Sequence, residues 1–222
     1  MFRYILFDLD GTLTDPFEGI SKCIIYALDS LSVKIDDISE LKCFIGPPLF
    51  EQFKDYFGFD DNTAELAVKK YRERYKIKGW KECTLFNDVD KLLKKLKSEG
   101  KILAVATSKP EIFAESILEY LCIKQYFDFI GGADISHTGR NKKEDVVDYV
   151  LKNLSVSDKS EAVLIGDRFY DIEGARANGI RTISVLSGYG SFEEFQLHNA
   201  DYIAEDLTDA VRIINEIDQA SG

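Results

Sequence analysis

Two carboxylates stand two positions apart in Asp8-Leu9-Asp10, with Gly11-Thr12 directly behind them. Residues i and i+2 of an extended chain share a face, and glycine lets the backbone turn sharply afterwards. Like charges so close are costly unless a cation or a proton separates them, so the motif is either a cation-binding acid pair or a solvated acidic turn. A second set, Gly166-Asp167-Arg168-Phe169-Tyr170-Asp171, follows the apolar run Ala162 to Ile165 and places Asp171 one turn into the next helix. For Asp167 alone the competing role is an ordinary helix N-cap. Thr107-Ser108 closes the run Ile102 to Ala106, with Lys109-Pro110 behind it. A hydroxyl beside exposed amides suits phosphate oxygens, although Pro110 also fits a first helical position, with Ser108 as its cap. Asn141-Lys142-Lys143-Glu144 reads as a helix start, Asn141 as N-cap and Glu144 closing a capping box. Two lysines in a first turn oppose the macrodipole by ~0.3–1 kcal/mol each, a placement that makes sense beside a bound anion.

These residues need elements to bring them together. The runs Arg3 to Phe7, Ile102 to Ala106, Phe127 to Ile130, Ala162 to Ile165, Thr182 to Leu186 and Tyr202 to Ala204 read as buried strands. Helical spacing appears in Val89, Leu92, Leu93 and Leu96, stopped by Gly100; in Val146, Val147, Val150, Leu151 and Leu154; and in Leu207, Val211, Ile214 and Ile217. The alternation predicts an α/β fold, a parallel sheet with helices on both faces. Ligands of such sheets bind outside the carboxyl ends of the strands, where both acidic motifs would converge and call for a hard cation such as Mg²⁺. Between Asp15 and Leu85 only helices are expected: Phe17 to Leu31, Ile38 to Phe44, Leu49 to Phe57 and Asn62 to Ile77, interrupted at Gly46-Pro47-Pro48. The expected organisation is a core of residues 1–14 and 86–222 with an all-helical domain, 15–85, inserted.

The chain has 222 residues, 28 basic and 39 acidic, for a net charge of −11. That field disfavours a nucleic-acid partner. A composition of 45% hydrophobic and 30% charged residues excludes disordered, collagen-like and coiled-coil classes. Cys23, Cys43, Cys83 and Cys122 are scattered, with no Cys-x-x-Cys pair, which is neither a zinc pattern nor a small disulfide framework. His137 and His198 are the only histidines and leave a His-rich metal site without ligands. Asp8 comes too early for a signal-peptide apolar region, and no run approaches the ~18 apolar residues of a membrane span. A reduced, cytoplasmic chain with no membrane partner is the expectation.

Taken in order, the motifs resemble the haloacid dehalogenase superfamily of aspartate-nucleophile phosphotransferases, over nearly the whole chain. Asp8-x-Asp10-Gly11-Thr12-Leu13-Thr14 matches its first motif and Thr107 its second. A lysine at the Asn141-Lys142-Lys143 helix start matches the third, and Gly166-Asp167-x-x-x-Asp171 the fourth. The helical insertion is similar to that superfamily's cap, and Ile45-Gly46-Pro47-Pro48-Leu49 and Ser187-Gly188-Tyr189-Gly190 resemble its phosphoglycolate phosphatase and 5′-nucleotidase branch. The family's Lys-Pro-x-Pro at the third motif is absent; the following helix favours Lys143, with Lys142 the alternative.

The resemblance implies a Rossmann-like core and an Mg²⁺-dependent phosphatase acting on a small phosphomonoester. Asp8 would be the nucleophile and Asp10 the acid and base. Mg²⁺ would sit on Asp8, Asp167 and Asp10 through its carbonyl; Thr107, Ser108 and Lys143 would bind phosphate. Asp171 would stand behind the metal or orient Lys143. A phosphosugar mutase shares these motifs. A phosphonatase would need a cap lysine, for which Lys22, Lys42 and Lys54 are candidates. A haloacid dehalogenase has no use for Asp10, and a non-catalytic phosphate binder would not keep every catalytic position. The oligomeric state is not legible in the sequence, a monomer being slightly favoured.

Overall fold

Short runs of Ile, Val, Leu and Phe, buried on both sides, form the strands of this chain, and the helices between them return it to the same sheet edge. The computed structural model describes residues 1–134 and 139–220; His137 lies outside the described residues. In chain order the elements are β1 (Tyr4–Phe7), β2 (Thr14–Asp15), α1 (Phe17–Ser30), a 3₁₀ helix (Ile38–Phe44), α2 (Leu49–Phe57), α3 (Asp61–Tyr75), β3 (Thr84–Leu85), α4 (Val89–Ser98) and β4 (Ile102–Pro110). There follow α5 (Glu111–Tyr120), β5 (Phe129–Ala133), α6 (Lys143–Asn153), β6 (Ala162–Gly166), α7 (Phe169–Ala177), β7 (Arg181–Val185), α8 (Phe192–Leu197), β8 (Tyr202–Ala204) and α9 (Leu207–Ala220). The chain divides into two compact units, one of residues 1–14 and 85–222, the other of residues 15–84.

The first unit is built on a six-stranded sheet of order β5-β4-β1-β6-β7-β8, parallel throughout. Strand β1 lies in the middle, with Phe7 level with Val105 of β4 and Ile165 of β6. The residues that follow these three therefore lie side by side toward one end of the sheet: Asp8, Ala106-Thr107 and Gly166-Asp167. Because strand order reverses on either side of β1, this edge is the switch point where such sheets bind ligands. Tyr4, Leu6, Ala104, Ala106, Ala162 and Leu164 pack on Val146, Val147, Val150 and Leu151 of α6 and Ala175 of α7. The alternate residues Ile5, Phe7, Leu103, Val105, Val163 and Ile165 are buried as well, so both faces of the sheet are covered. Helices α4, α5 and α9 pack on β4, β5, β7 and β8.

The second unit is helical, its core formed where α1 packs on α3 through Ile20, Cys23, Ile24 and Ala27 of one and Ala64, Ala67, Val68 and Tyr71 of the other. Residues 38–44 take the tighter 3₁₀ form, started by the Asp37 carboxylate, which accepts from the Ser39 amide at 2.8 Å. Phe44 then meets Phe53 of α2 edge to face at 5.3 Å. Arg74 closes the unit with a two-pronged pair to Glu82, 2.6 and 3.0 Å. Gly46 has φ of +104°, and Pro48 is extended just before α2. Among the described residues no helix is long and apolar enough to cross a membrane, and the four cysteines are free thiols.

Candidate active site

Strand β1 ends at Phe7, yet the Asp8 amide still donates to the Ile165 carbonyl at 2.9 Å, so the ladder fixes Asp8 one residue beyond the strand. Lys143 Nζ reaches it, donating to Asp8 Oδ1 at 2.7 Å and to the Ala106 carbonyl at 2.9 Å, and lies 2.7 Å from Asp171 Oδ1. Lys143 is the first residue of α6 and stands three, four and seven residues before Val146, Val147 and Val150, on the buried face of the helix. Lys142 points to solvent and lies 3.6 Å from Glu144. The expected cap at this start is corrected. Asn141 is not the N-cap and Glu144 does not close the box; Lys142 flanks the helix and its amide donates to Asp145 Oδ2 at 3.2 Å. The acid three residues after the cap decides the register, and the short Asp145 side chain reaches back where Glu144 does not.

Asp167, fully buried, is not an N-cap either. Its Oδ1 accepts from the Thr12 hydroxyl at 3.2 Å and its Oδ2 from the Tyr189 amide at 2.8 Å. Two glycines press on this carboxylate. A Cβ on Gly11, whose φ is +89°, would stand 2.1 Å from Asp167 Oδ2, and one on Gly188 would stand 2.5 Å from it. Helix α7 is capped instead by Asp171, whose Oδ2 accepts from the Arg168 amide at 3.1 Å. Asp10 lies past the end of β1, outside the named strands, and its carboxylate has partners of its own. Its Oδ1 accepts from the Thr14 hydroxyl at 3.4 Å and its Oδ2 is ion-paired with Lys109. Thr107 is buried and its Oγ1 accepts from the Lys109 amide at 3.2 Å. Ser108 is exposed and caps nothing, since β4 runs on to Pro110 and α5 begins at Glu111.

Sequence reasoning thus passed over three participants. Lys109 stands in plain view beside Thr107-Ser108, and a lysine at an acidic strand edge was its signal. Thr12 was part of a motif without a role. The Tyr189 amide carries no side-chain signature; only the small residues Gly188 and Gly190 mark its approach.

Over residues 5–185 the chain matches the haloacid dehalogenase-like hydrolases. It belongs to that family. The chain is 39% identical to a 5′-nucleotidase of Pseudomonas aeruginosa, covering 91% of each protein. It is 36% identical to the tyrosine-protein kinase PtkA of Mycobacterium tuberculosis, over 98% of this chain and 70% of that one. A solved structure described as a predicted phosphatase, from Clostridium acetobutylicum, is 40% identical, with a TM-score of 0.90 over 97% of this chain and 99% of that one. As a haloacid dehalogenase-like hydrolase of this kind, the chain is an enzyme of the phosphatase class.

The electrostatics of this hydrolase site follow from its burial. Burial, then the charges of Asp171 and Asp8, hold the Asp167 carboxyl well above the usual carboxylate range. Burial also raises Asp171, opposed by Lys143, and raises Asp10, opposed by Lys109. Burial works against the charge on Lys143, but Asp171 and Asp8 outweigh it and lift its pKa above the ordinary value. Four carboxyl groups share this end of the sheet with Lys143 and Lys109, and Arg168 acts on Asp167 less than burial, Asp171 and Asp8 do. Oxygens of Asp8, Asp167 and Asp171 lie within 4.8 Å of one another, and Asp171 Oδ1 is buried without an aligned hydrogen bond. An all-oxygen donor set of clustered, buried carboxyl groups fits a hard divalent cation. The Asp10 carboxylate is not among those three groups, being engaged by Lys109 and Thr14.

Proposed function

We propose that this chain hydrolyses the phosphomonoester of a small metabolite through an aspartyl-phosphate on Asp8, with Mg²⁺ as cofactor. Phosphoglycolate and nucleoside 5′-monophosphates are the substrate class we favour. The observation that carries this reading is the meeting of Asp8, Lys143, Asp167 and Asp171 at one sheet edge, with Asp10 close by on a lysine of its own. Membership of the hydrolase family and the resemblance to a 5′-nucleotidase support it. Free cysteines fit a reducing, cytoplasmic setting.

The chemical obstacle is an anion attacking an anion: unit charges 4 Å apart repel by about 4 kcal/mol at an effective dielectric of 20. Lys143, buried between Asp8 and Asp171, supplies a fixed positive charge where a phosphoryl group would meet Asp8, and the Thr107 hydroxyl adds a donor. Asp8, Asp167 and the Asp10 carbonyl would hold Mg²⁺, with Asp171 behind them or as a further ligand. The cation would neutralise phosphoryl oxygens when bound. An Asp8 oxygen attacks phosphorus, the bond from phosphorus to the alkoxide oxygen breaks, and Asp10 gives its proton to the leaving alkoxide. Water then attacks the same phosphorus and loses a proton to Asp10, and the Asp8 acyl-phosphate bond breaks. The raised Asp10 carboxyl keeps its proton to higher pH than an exposed aspartate, as the first step needs.

Asp8→Asn and Asp10→Asn test this directly. Asp8→Asn should yield no turnover and no covalent phosphate; Asp10→Asn should lose about 10²–10⁴-fold in kcat, least on p-nitrophenyl phosphate. A burst of labelled phosphate on Asp8→Asn refutes the nucleophile. Product analysis separates hydrolysis from transfer: phosphate on a sugar or on a tyrosine, in place of inorganic phosphate, overturns the phosphatase reading.

A further inference from the structure

Lys109 is a buried cation that the chemistry above leaves without a task. Its side chain is 7% exposed and ion-paired with Asp10 Oδ2. Lysine is almost never buried unless paired. The other buried lysines have different partners: Lys143 serves Asp8 and Asp171, and Lys101 ties the Phe2 carbonyl to Asp218 of α9. No other lysine or arginine has a recorded ion pair with Asp10 among the described residues. Both ends of Lys109 are fixed, the tip by Asp10 and the backbone amide by Thr107 Oγ1 at 3.2 Å. Asp10 needs such a hold. It lies past the end of β1, next to the glycine with φ of +89°, and among the described residues the Thr14 hydroxyl, at 3.4 Å, shares its carboxylate with Lys109.

We propose that Lys109 is a positioning residue that orients the Asp10 carboxyl for its two proton transfers. The inference rests on the aspartyl-phosphate reading and deepens it. A proton donor must lie within about 2.6–3.2 Å of the oxygen it protonates. A carboxyl group on a short side chain meets that tolerance only if its torsions are held. Lys109 and Thr14 take one oxygen each and fix the plane of the group. Lys109 acts through Asp10, so removing it should weaken what Asp10 does and nothing else.

The test is a double-mutant cycle. Lys109→Met and Lys109→Arg are made alone and with Asp10→Asn, and kcat and KM are measured on p-nitrophenyl phosphate and on phenyl phosphate, the poorer leaving group. Thermal melts confirm folding, and Lys109→Gln replaces Lys109→Met if the latter does not fold. Lys109→Met should lower kcat on phenyl phosphate by about 10–10²-fold, a part of the general-acid contribution, and by less on p-nitrophenyl phosphate, with KM within about two-fold. Lys109→Arg should restore most of the loss. With Asp10→Asn already present, Lys109→Met should change kcat by less than about two-fold, because residues acting as a unit are not additive. Additive losses, equal losses on both esters, or a raised KM at unchanged kcat each overturn the proposal, the last by showing that Lys109 binds phosphate itself. A wild type inactive on both esters, or an active Asp8→Asn, overturns the phosphatase reading and the proposal together.

Discussion

Replacing Lys143 with Met removes a cation that stands between Asp8 and Asp171, and nearly all of its volume is kept. Its side chain is 5% exposed, with 2.7 Å contacts to both Asp8 and Asp171. Deleting one partner of a buried pair costs about 3–5 kcal/mol. For a chain of this length that corresponds to a fall in Tm on the order of 6–20 °C, at about 2–4 °C per kcal/mol. The loss should depend on pH. The folded Asp171 carboxyl is already raised by burial and held back by Lys143, and without the lysine it holds its proton to higher pH still. The native state then binds more protons than the unfolded chain above pH ~5, so stability falls as pH rises, by up to about 1.4 kcal/mol per pH unit for each proton. The deficit of Lys143→Met relative to wild type should therefore be larger at pH 8 than at pH 5. Lys143 itself stays charged across this window, because its folded pKa is raised and its contribution is lost only in strong alkali. Thermal melts in chelator at both pH values measure the effect, with Lys142→Met, an exposed position, as the control. A variant that melts within 2 °C of wild type at pH 8, or shows the same deficit at both pH values, refutes the reasoning.

Three further outcomes are expected. Excess chelator should abolish turnover and Mg²⁺ should restore it, while Ca²⁺, with its looser coordination, should restore little; full activity in chelator removes the metal from the mechanism. Gly11→Ala forces a Cβ within 2.1 Å of Asp167 Oδ2 at a φ of +89°, and should weaken Mg²⁺ binding by about 10–100-fold, read by titration calorimetry; an unchanged affinity separates Gly11 from the metal. Substrate choice is proposed to reside in residues 15–84, so Pro47→Ala with Pro48→Ala, which frees a turn that proline stiffens, should shrink the kcat/KM ratio between phosphoglycolate and p-nitrophenyl phosphate. A folded double variant with the ratio unchanged makes the turn a simple connector.

The strands were legible because a sheet buried on both faces needs unbroken apolar runs, and Tyr4–Phe7 and Ala162–Gly166 are such runs. Register then follows, and with it the meeting of Asp8 and Asp167. What sequence spacing does not carry is which carboxylate each cation takes. Lys109 and Lys143 lie 34 positions apart (143 − 109); the parallel pairing of β4 with β1 brings the first to Asp10, and the packing of α6 on the sheet brings the second to Asp8. The helix start at residues 141–145 holds two acids in a row, so spacing alone left the cap one residue early. Backbone donors such as the Tyr189 amide are invisible for a different reason: every residue but proline has one.

The central place of β1 has a consequence for how the enzyme is made. Tyr4 pairs with Ile102 and Ala162, partners 98 and 158 positions downstream (102 − 4 and 162 − 4). Contacts so distant along the chain form late, since loop closure must precede them. Residues 15–84, a contiguous stretch, can fold while synthesis continues, domain by domain. Strand β1, with Asp8 behind it, must instead wait for β6 before both of its neighbours are present. A chain that stops short of Gly166 therefore carries Asp8, the proposed nucleophile, without Asp167 or Asp171, and the candidate site assembles only once β6 and α7 are in place.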